Sequence, residues 1–237
     1  MLFASGKLTT SYVSSPHNKD LTFQIQRIDD LLRPDHSYLE KDDECFFYGE
    51  YTAGKGFSYS DVNQLIINFK KEMAHAGKPG WGYKASAIRD VAQIIKGLRE
   101  WPRMQEYAWV PIPPSVKFGE PEHDDRLIQV LDAIRKDVPN FDFRDIIDLI
   151  KSRTSAHNSQ NRPKPDEHIS NFDIRKDKVV PEPKVGVIVF DDVLTSGSGF
   201  KAVKRVVNSL WPNKPVYGFF VARVVRDADV SAMFEKV

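Results

Sequence analysis

Apolar residues return along this chain in two rhythms, and each predicts its own kind of element. Cys45–Tyr51 is a compact apolar run that reads as a strand, closed by the small-residue loop Thr52-Ala53-Gly54-Lys55-Gly56. Ser60 stands as an N-cap. Val62, Leu65, Ile66, Phe69 and Met73 follow it at helical spacing and give one apolar face. Gly77, Pro79, Gly80 and Gly82 break that helix before a second begins, with Ile88, Val91, Ile95 and Leu98 on one side and Gly97 near its end. Tyr107–Ile112 is a short strand stopped by Pro113-Pro114. Leu127, Val130, Leu131 and Ile134 predict a third helix, and Asp142 caps a fourth that runs through Ile146, Ile147 and Ile150.

From Lys151 to Lys184 there is little periodicity. A connection of about thirty residues without structure is uncommon in a compact domain, and is usually a lid, a binding loop or a linker. Beyond it the pattern changes. Val185–Phe190 is continuously apolar, Phe200–Leu210 is helical, and Val216–Ala222 is continuously apolar again. Apolar runs without alternation, separated by a helix, are what a parallel strand covered on both faces requires. The fold class expected is therefore α/β, a mostly parallel central sheet flanked by helices. Residues 1–43 are polar and mixed apart from the alternating stretch Phe23–Ile28, a candidate edge strand; they read as a small N-terminal extension or hood-like lobe. Residues 44–237 are expected to form the main domain, which includes the unpatterned stretch 151–184.

The composition narrows the classes of function. The 237 residues carry a formal net charge of +1, so no global field recruits nucleic acid or an anionic membrane. Cys45 is the single cysteine, which excludes an intrachain disulfide and a multi-cysteine zinc site, and its apolar surroundings make it a small buried hydrophobe. No window approaches the roughly 20 apolar residues of a membrane helix. The N-terminus lacks an apolar run long enough for a signal peptide. No membrane partner is expected, and the expected address is the cytoplasm.

Chemistry concentrates at Val187–Phe200, where an apolar strand runs into Asp191-Asp192, then into the loop Thr195-Ser196-Gly197-Ser198-Gly199, then into a helix. Ligands of open α/β sheets bind outside the carboxyl ends of the strands. A loop of small residues lets backbone amides approach an anion, and the following helix adds its positive end. The loop suits a phosphate. Two carboxylates beside it would repel that phosphate unless a sugar's hydroxyls, or a divalent cation, came between them. Gly197-Ser198-Gly199-Phe200-Lys201-Ala202 also fits a dinucleotide fingerprint, but the next strand ends in Ala222-Arg223 without the acidic residue that fingerprint needs. The sequence G-x-x-x-x-G-K-[ST] is absent, which removes the P-loop.

This segment resembles the phosphoribosyl pyrophosphate (PRPP) signature of type I phosphoribosyltransferases. More narrowly, the chain from about Tyr48 onward is similar to the ComF-like branch of competence-associated phosphoribosyltransferase-like proteins. The segments that carry the likeness are Leu65–Lys71, Val110–Ser115, Arg153-Thr154 with the loop to Asn171-Phe172, the Asp191-Asp192 motif and Phe220–Arg223. The resemblance implies that Asp191 and Asp192 hold the ribose hydroxyls, with Asp192 nearest the reacting sugar. It implies that Thr195, Ser196, Gly197, Ser198 and Gly199 cradle the 5′-phosphate. The turn after Ile112, with Pro113, Ser115 and Lys117, falls at the pyrophosphate position. The stretch 151–184 matches the place of the family's flexible active-site loop, and the resemblance makes Arg153, His157, Arg162 and His168 on it candidates to meet pyrophosphate or base. Mg²⁺ would be held indirectly, through the substrate beside Asp191 and Asp192.

Two departures bear on function. The family usually has a hydroxyl residue where Gly199 stands, and many ComF proteins begin with a cysteine-rich zinc ribbon that a chain with only Cys45 cannot form. The leading expectation is magnesium-dependent transfer of phosphoribose from PRPP to a base, amine or macromolecule, with pyrophosphate release. The alternative is a non-catalytic sensor of PRPP or a nucleotide, acting through a protein partner or as a homo-oligomer. A nucleic-acid partner has only local support, from Lys201, Lys204, Arg205, Arg223 and Arg226 near the loop.

Overall fold

A computed structural model describes residues 23–153 and 163–226. Strands β1 (Gln26–Arg27), β2 (Cys45–Thr52), β3 (Ala108–Pro111), β6 (Val187–Leu194) and β7 (Val216–Val225) form one sheet in the order β1-β2-β7-β6-β3. Only β1 is antiparallel; β2, β7, β6 and β3 pair in parallel. The expected α/β class, with a mainly parallel sheet flanked by helices, is what the chain adopts. One face packs on α1 (Asp61–Phe69), α2 (Gly82–Lys96) and α4 (Arg126–Asp137), through Ile66, Phe69, Val91, Ile95, Leu131 and Ile134. The other packs on α6 (Ser198–Leu210), through Phe200, Val203 and Val207. Burial on both faces accounts for the unalternating apolar runs of β6 and β7.

Local chemistry fixes several boundaries. The Ser60 hydroxyl accepts from the Asn63 amide at 3.0 Å, the expected N-cap of α1. Asn63 is itself fully buried; its side chain accepts from the Thr52 amide at 3.0 Å and donates to the Thr52 carbonyl at 3.1 Å. It thus satisfies the end of β2 where no neighbouring strand does. The short helix α3 (Trp101–Met104) follows α2 and brings Trp101 against Trp109 and Phe141.

Two expectations fail here. The helix expected from Asp142 is instead extended chain. Residues 142–144 lie beside β3, the Trp109 amide donating to the Asp142 carbonyl and the Arg144 amide to the Trp109 carbonyl, each at 2.8 Å. Strand β4 (Ile147–Leu149) follows, antiparallel to β5 (Phe172–Ile174). Ile146, Ile147 and Ile150 satisfy a helical spacing, but Ile147 pairs with Ile174 of β5, where a β-branched residue packs well, and Ile150 follows the strand's end. Nor are the described residues 163–184 structureless. Pro165, at the first position of a short helix, starts α5 (Pro165–Ile169), with Asp166 and Glu167 in its first turn. Strand β5 and a 3₁₀ turn at Lys176–Lys178 complete the segment.

Residues 23–43 add the edge strand β1, as the alternation at Phe23–Ile28 suggested, and then cross to the loop that precedes α6. Among the described residues no helix is long and apolar enough to cross a membrane. Because β2, β3, β6 and β7 run the same way, the loops that follow them leave from one edge of the sheet, and the candidate chemistry lies there.

Candidate phosphate and sugar site

Strand β6 does not stop at Phe190, as the apolar run suggested, but continues through both acids, with Asp191 opposite Phe220 and Leu194 opposite Arg223. The longer partner β7 supplies backbone pairing that far, and the strand's two-residue period then sends the two carboxylates to opposite faces.

Asp192 points into the helical face and is 4% exposed. Lys70, the residue after α1, donates to its Oδ1 at 3.2 Å, and the Val193 amide donates to the same oxygen at 2.6 Å. Arg126, the first residue of α4, donates to Oδ2 through Nε at 3.0 Å and through Nη2. Arg126 also pairs with Asp124, which receives Lys84 Nζ at 2.8 Å. Lys84 further donates to the Phe69 and Lys71 carbonyls at 3.0 and 2.9 Å, closing the end of α1. Burial alone would raise the Asp192 carboxyl, but Lys70 and Arg126 hold it well below the usual carboxylate range.

Asp191 is different. It is half-buried, has no ion pair among the described residues, and accepts from the Asp192 amide at 2.8 Å. Burial, and after it the charge of Asp192, push its carboxyl upward. Asp191 is close enough to Arg153 for its charge to favour the guanidinium that burial disfavours. Arg153 Nη2 donates to the Pro114 carbonyl at 3.2 Å, and its backbone amide donates to the Ser115 carbonyl at 2.7 Å. Arg153 Nη1 meets His168 Nδ1, and His168 Nε2 lies 3.3 Å from Ser198 Oγ. One chain of contacts thus joins the turn after β3, the long loop and the phosphate-type loop, with the charge of Asp191 close by. Burial first, and then the Arg153 charge, lower His168 to about 4.

The loop itself is held from behind by the N-terminal segment. The buried His36 meets the Thr195 carbonyl through Nδ1, and the Tyr38 amide donates to the Ser196 carbonyl at 2.9 Å. Gly197 has φ +83°, and a Cβ there would come within 2.8 Å of Leu39, so glycine is required twice over. A Cβ at Gly199 would meet Ile112 only at 3.6 Å, an ordinary contact. Position 199 therefore has room for a Cβ.

Of the residues singled out from sequence, Asp191, Thr195–Gly199, Pro113, Ser115, Arg153 and His168 converge at this edge. Lys117 lies at its rim, donating to the Ile150 carbonyl at 3.2 Å through Nζ and to Ser152 Oγ at 2.8 Å through its amide. His157 and Arg162 lie outside the described residues. Lys70, Arg126, His36 and Tyr38 escaped the sequence reading. Lys70 stood in a segment of the resemblance, but a lysine after a helix is ordinarily solvated, and Arg126 lies 66 residues from Asp192. The basic face near the loop is largely neutralised: Lys201 and Lys204 pair with Asp43, Arg205 with Asp166, and Arg223 with Glu50 and Asp35. Glu40, Asp42 and Asp43 have metal-type proximity, but the two lysines already occupy Asp43. A cavity of about 440 Å³ lies elsewhere, between α1 and α2 over Tyr48.

No protein-family model matches the sequence, and no curated protein matches it.

Removing charge from the two acids should have unequal effects. Asp192→Asn leaves Lys70 and Arg126 short of their counter-charge in a buried place and should cost about 3–5 kcal/mol in urea unfolding at pH 8. Asp191→Asn should be neutral or slightly stabilising there, because burial already disfavours its charge. Equal losses would contradict the division. His168 adds a pH dependence. Its folded value of about 4 lies below the unfolded value of about 6.5, so above pH 6.5 neither state binds the proton. As pH falls from 6.5 towards 4 only the unfolded chain takes it up, and stability is lost across that window. The wild-type minus His168→Gln difference in unfolding free energy should shrink over the same interval and be flat above it. A difference independent of pH would refute the assignment.

Proposed function

We propose that the edge formed by Asp191, the Thr195–Gly199 loop and the Pro113–Lys117 turn binds phosphoribosyl pyrophosphate, and that the protein transfers the phosphoribosyl group in the manner of the type I phosphoribosyltransferases it resembles. The sheet is read as that family's arrangement. The observation that carries this reading is the chain of contacts from the Pro113-Pro114 carbonyls through Arg153 and His168 to Ser198, with Asp191 near enough for its charge to act on Arg153. It draws together four segments that the sequence had nominated separately for ribose, pyrophosphate, loop and 5′-phosphate.

In this reading the Ser196, Gly197 and Ser198 region receives the 5′-phosphate, and Asp191 accepts hydrogen bonds from the ribose hydroxyls. The bond from C1 to the pyrophosphate oxygen breaks with its electron pair leaving on oxygen. A lone pair on the acceptor forms the new bond, and the acceptor's proton passes to solvent. Asp191, ionised by the donors it receives, sits where positive charge develops on the sugar. Asp192 is a positioning residue: both of its oxygens are engaged, so it fixes the strand end and the charge balance around its neighbour rather than meeting the sugar. The resemblance had placed Asp192 nearest the reaction; the geometry favours Asp191. The donor set fits Mg²⁺ held through ligand oxygens beside Asp191, the acid whose charge is free. When bound, that ion would neutralise charge on the leaving pyrophosphate.

A second reading, a sensor that binds the same ligand without turnover, has one observation in its favour. With Asp192 sealed by Lys70 and Arg126, a single carboxylate is left for the sugar. Calorimetric titration with PRPP in the presence of Mg²⁺ tests the site for both readings. Binding should occur, and Asp191→Ala should weaken it at least tenfold, about 1.4 kcal/mol. Pyrophosphate release with a panel of bases and amines favours transfer; saturable binding without release favours the sensor. Lack of binding would end both.

A further inference from the structure

We infer that His168 is a positioning residue that turns the Ser198 hydroxyl into a hydrogen-bond donor for a phosphate monoester; this rests on the reading of the Thr195–Gly199 loop as an anion site. The direction of each hydrogen bond follows from what its partner can do. A guanidinium has no acceptor, so Arg153 Nη1 donates to His168 Nδ1, which must then carry a lone pair. His168 is 8% exposed and kept neutral by burial and the Arg153 charge, so its ring proton sits on Nε2. That N–H faces Ser198 Oγ at 3.3 Å and donates to it. Ser198 Oγ therefore accepts from His168, and its own hydrogen is left to point elsewhere. In the opposite tautomer Ser198 would have to donate to Nε2, and the loop would lose a donor.

The rest of the surroundings serves the same order. The other hydroxyl in reach, Ser196 Oγ, lies 3.4 Å from Ser198 Oγ and can occupy its second lone pair. Helix α5, which carries His168, packs on α6, which begins at Ser198, and Phe172 lies against the imidazole with ring centres 6.3 Å apart. Arg153 is anchored in turn on the Pro113 and Pro114 carbonyls. The turn after β3 and the loop after β6 are thus coupled through one tautomer. A change at Arg153 should be felt at the 5′-phosphate even though the guanidinium does not contact the loop directly.

Nitrogen NMR of the wild-type protein reads the tautomer directly. A protonated Nε2 and a bare Nδ1 on His168 are expected; a protonated Nδ1 overturns the inference. Titration with ribose 5-phosphate reads its consequence. Ser198→Ala should weaken binding about ten- to a hundredfold, the loss of one hydrogen bond to a charged group. In His168→Gln the amide reaches the Nε2 position and keeps a donor to Ser198, so affinity should stay within about threefold of wild type. In His168→Asn the shorter amide keeps the Arg153 contact alone, so binding should fall as far as in Ser198→Ala. The double variant His168→Asn/Ser198→Ala should be no weaker than Ser198→Ala. If Ser198→Ala loses affinity while His168→Asn does not, or if the two losses add, the histidine has no positioning role and the pocket stands without it. If the wild-type protein fails to bind ribose 5-phosphate, the pocket and the inference fall together.

Discussion

Two adjacent carboxylates inside a parallel strand covered on both faces cannot share a side. The two-residue period of β6 sends Asp192 into the helical layer formed by α1, α2 and α4, and Asp191 towards Arg153 and the loop that opens α6. The first carboxylate would be prohibitively costly there without counter-charge. Lys70 and Arg126 supply it, and the Val193 amide completes the coordination of Oδ1. Much of the upper edge of the sheet is arranged around that demand. Arg126 is carried to it by the loop after β3, Lys70 by the end of α1, and Lys84 joins those two segments by bonding the Phe69 and Lys71 carbonyls and Asp124 together.

With Asp192 satisfied, its neighbour is the acid with electrostatic freedom. Asp191 is partly buried beside another negative charge, without an ion pair among the described residues, an arrangement that favours an incoming donor. The adjoining loop is pinned from behind by His36, Tyr38 and Leu39 and from the side by His168, so its glycine-turn geometry exists before any ligand arrives. A pre-formed small-residue loop just after a half-buried carboxylate on the same strand is what a sugar phosphate needs at its two ends.

The parts of this arrangement carried by local pattern were legible in the sequence. The doubly buried strands showed as unalternating apolar runs, α1 announced its start through Ser60, and Val187–Phe200 gave strand, acids, loop and helix in order. What failed was decided by distant partners. Ile146, Ile147 and Ile150 fit a helix and a strand equally well at so short a length, and pairing with β5, distant in sequence, chose strand. The opposite orientation of the two aspartates was implicit once β6 was allowed to extend past Phe190, but only the longer β7 shows that it does. The clamp on Asp192 comes from residues 122 and 66 positions away, and His36 reaches Thr195 across 159, so no spacing rule could reveal them. Lys201 and Lys204 looked like a free basic face because their acidic partners lie in the N-terminal segment, whose polar composition gave no sign of where it would dock.

The most direct test is a crystal structure of the protein soaked with ribose 5-phosphate. The account predicts the phosphate on the amides and hydroxyls of Ser196–Ser198, and the ribose hydroxyls within hydrogen-bond distance of Asp191, with Asp192 still held by Lys70 and Arg126. A sugar lodged on Asp192 with that clamp broken, or a phosphate bound away from the Ser196–Ser198 turn, would contradict it.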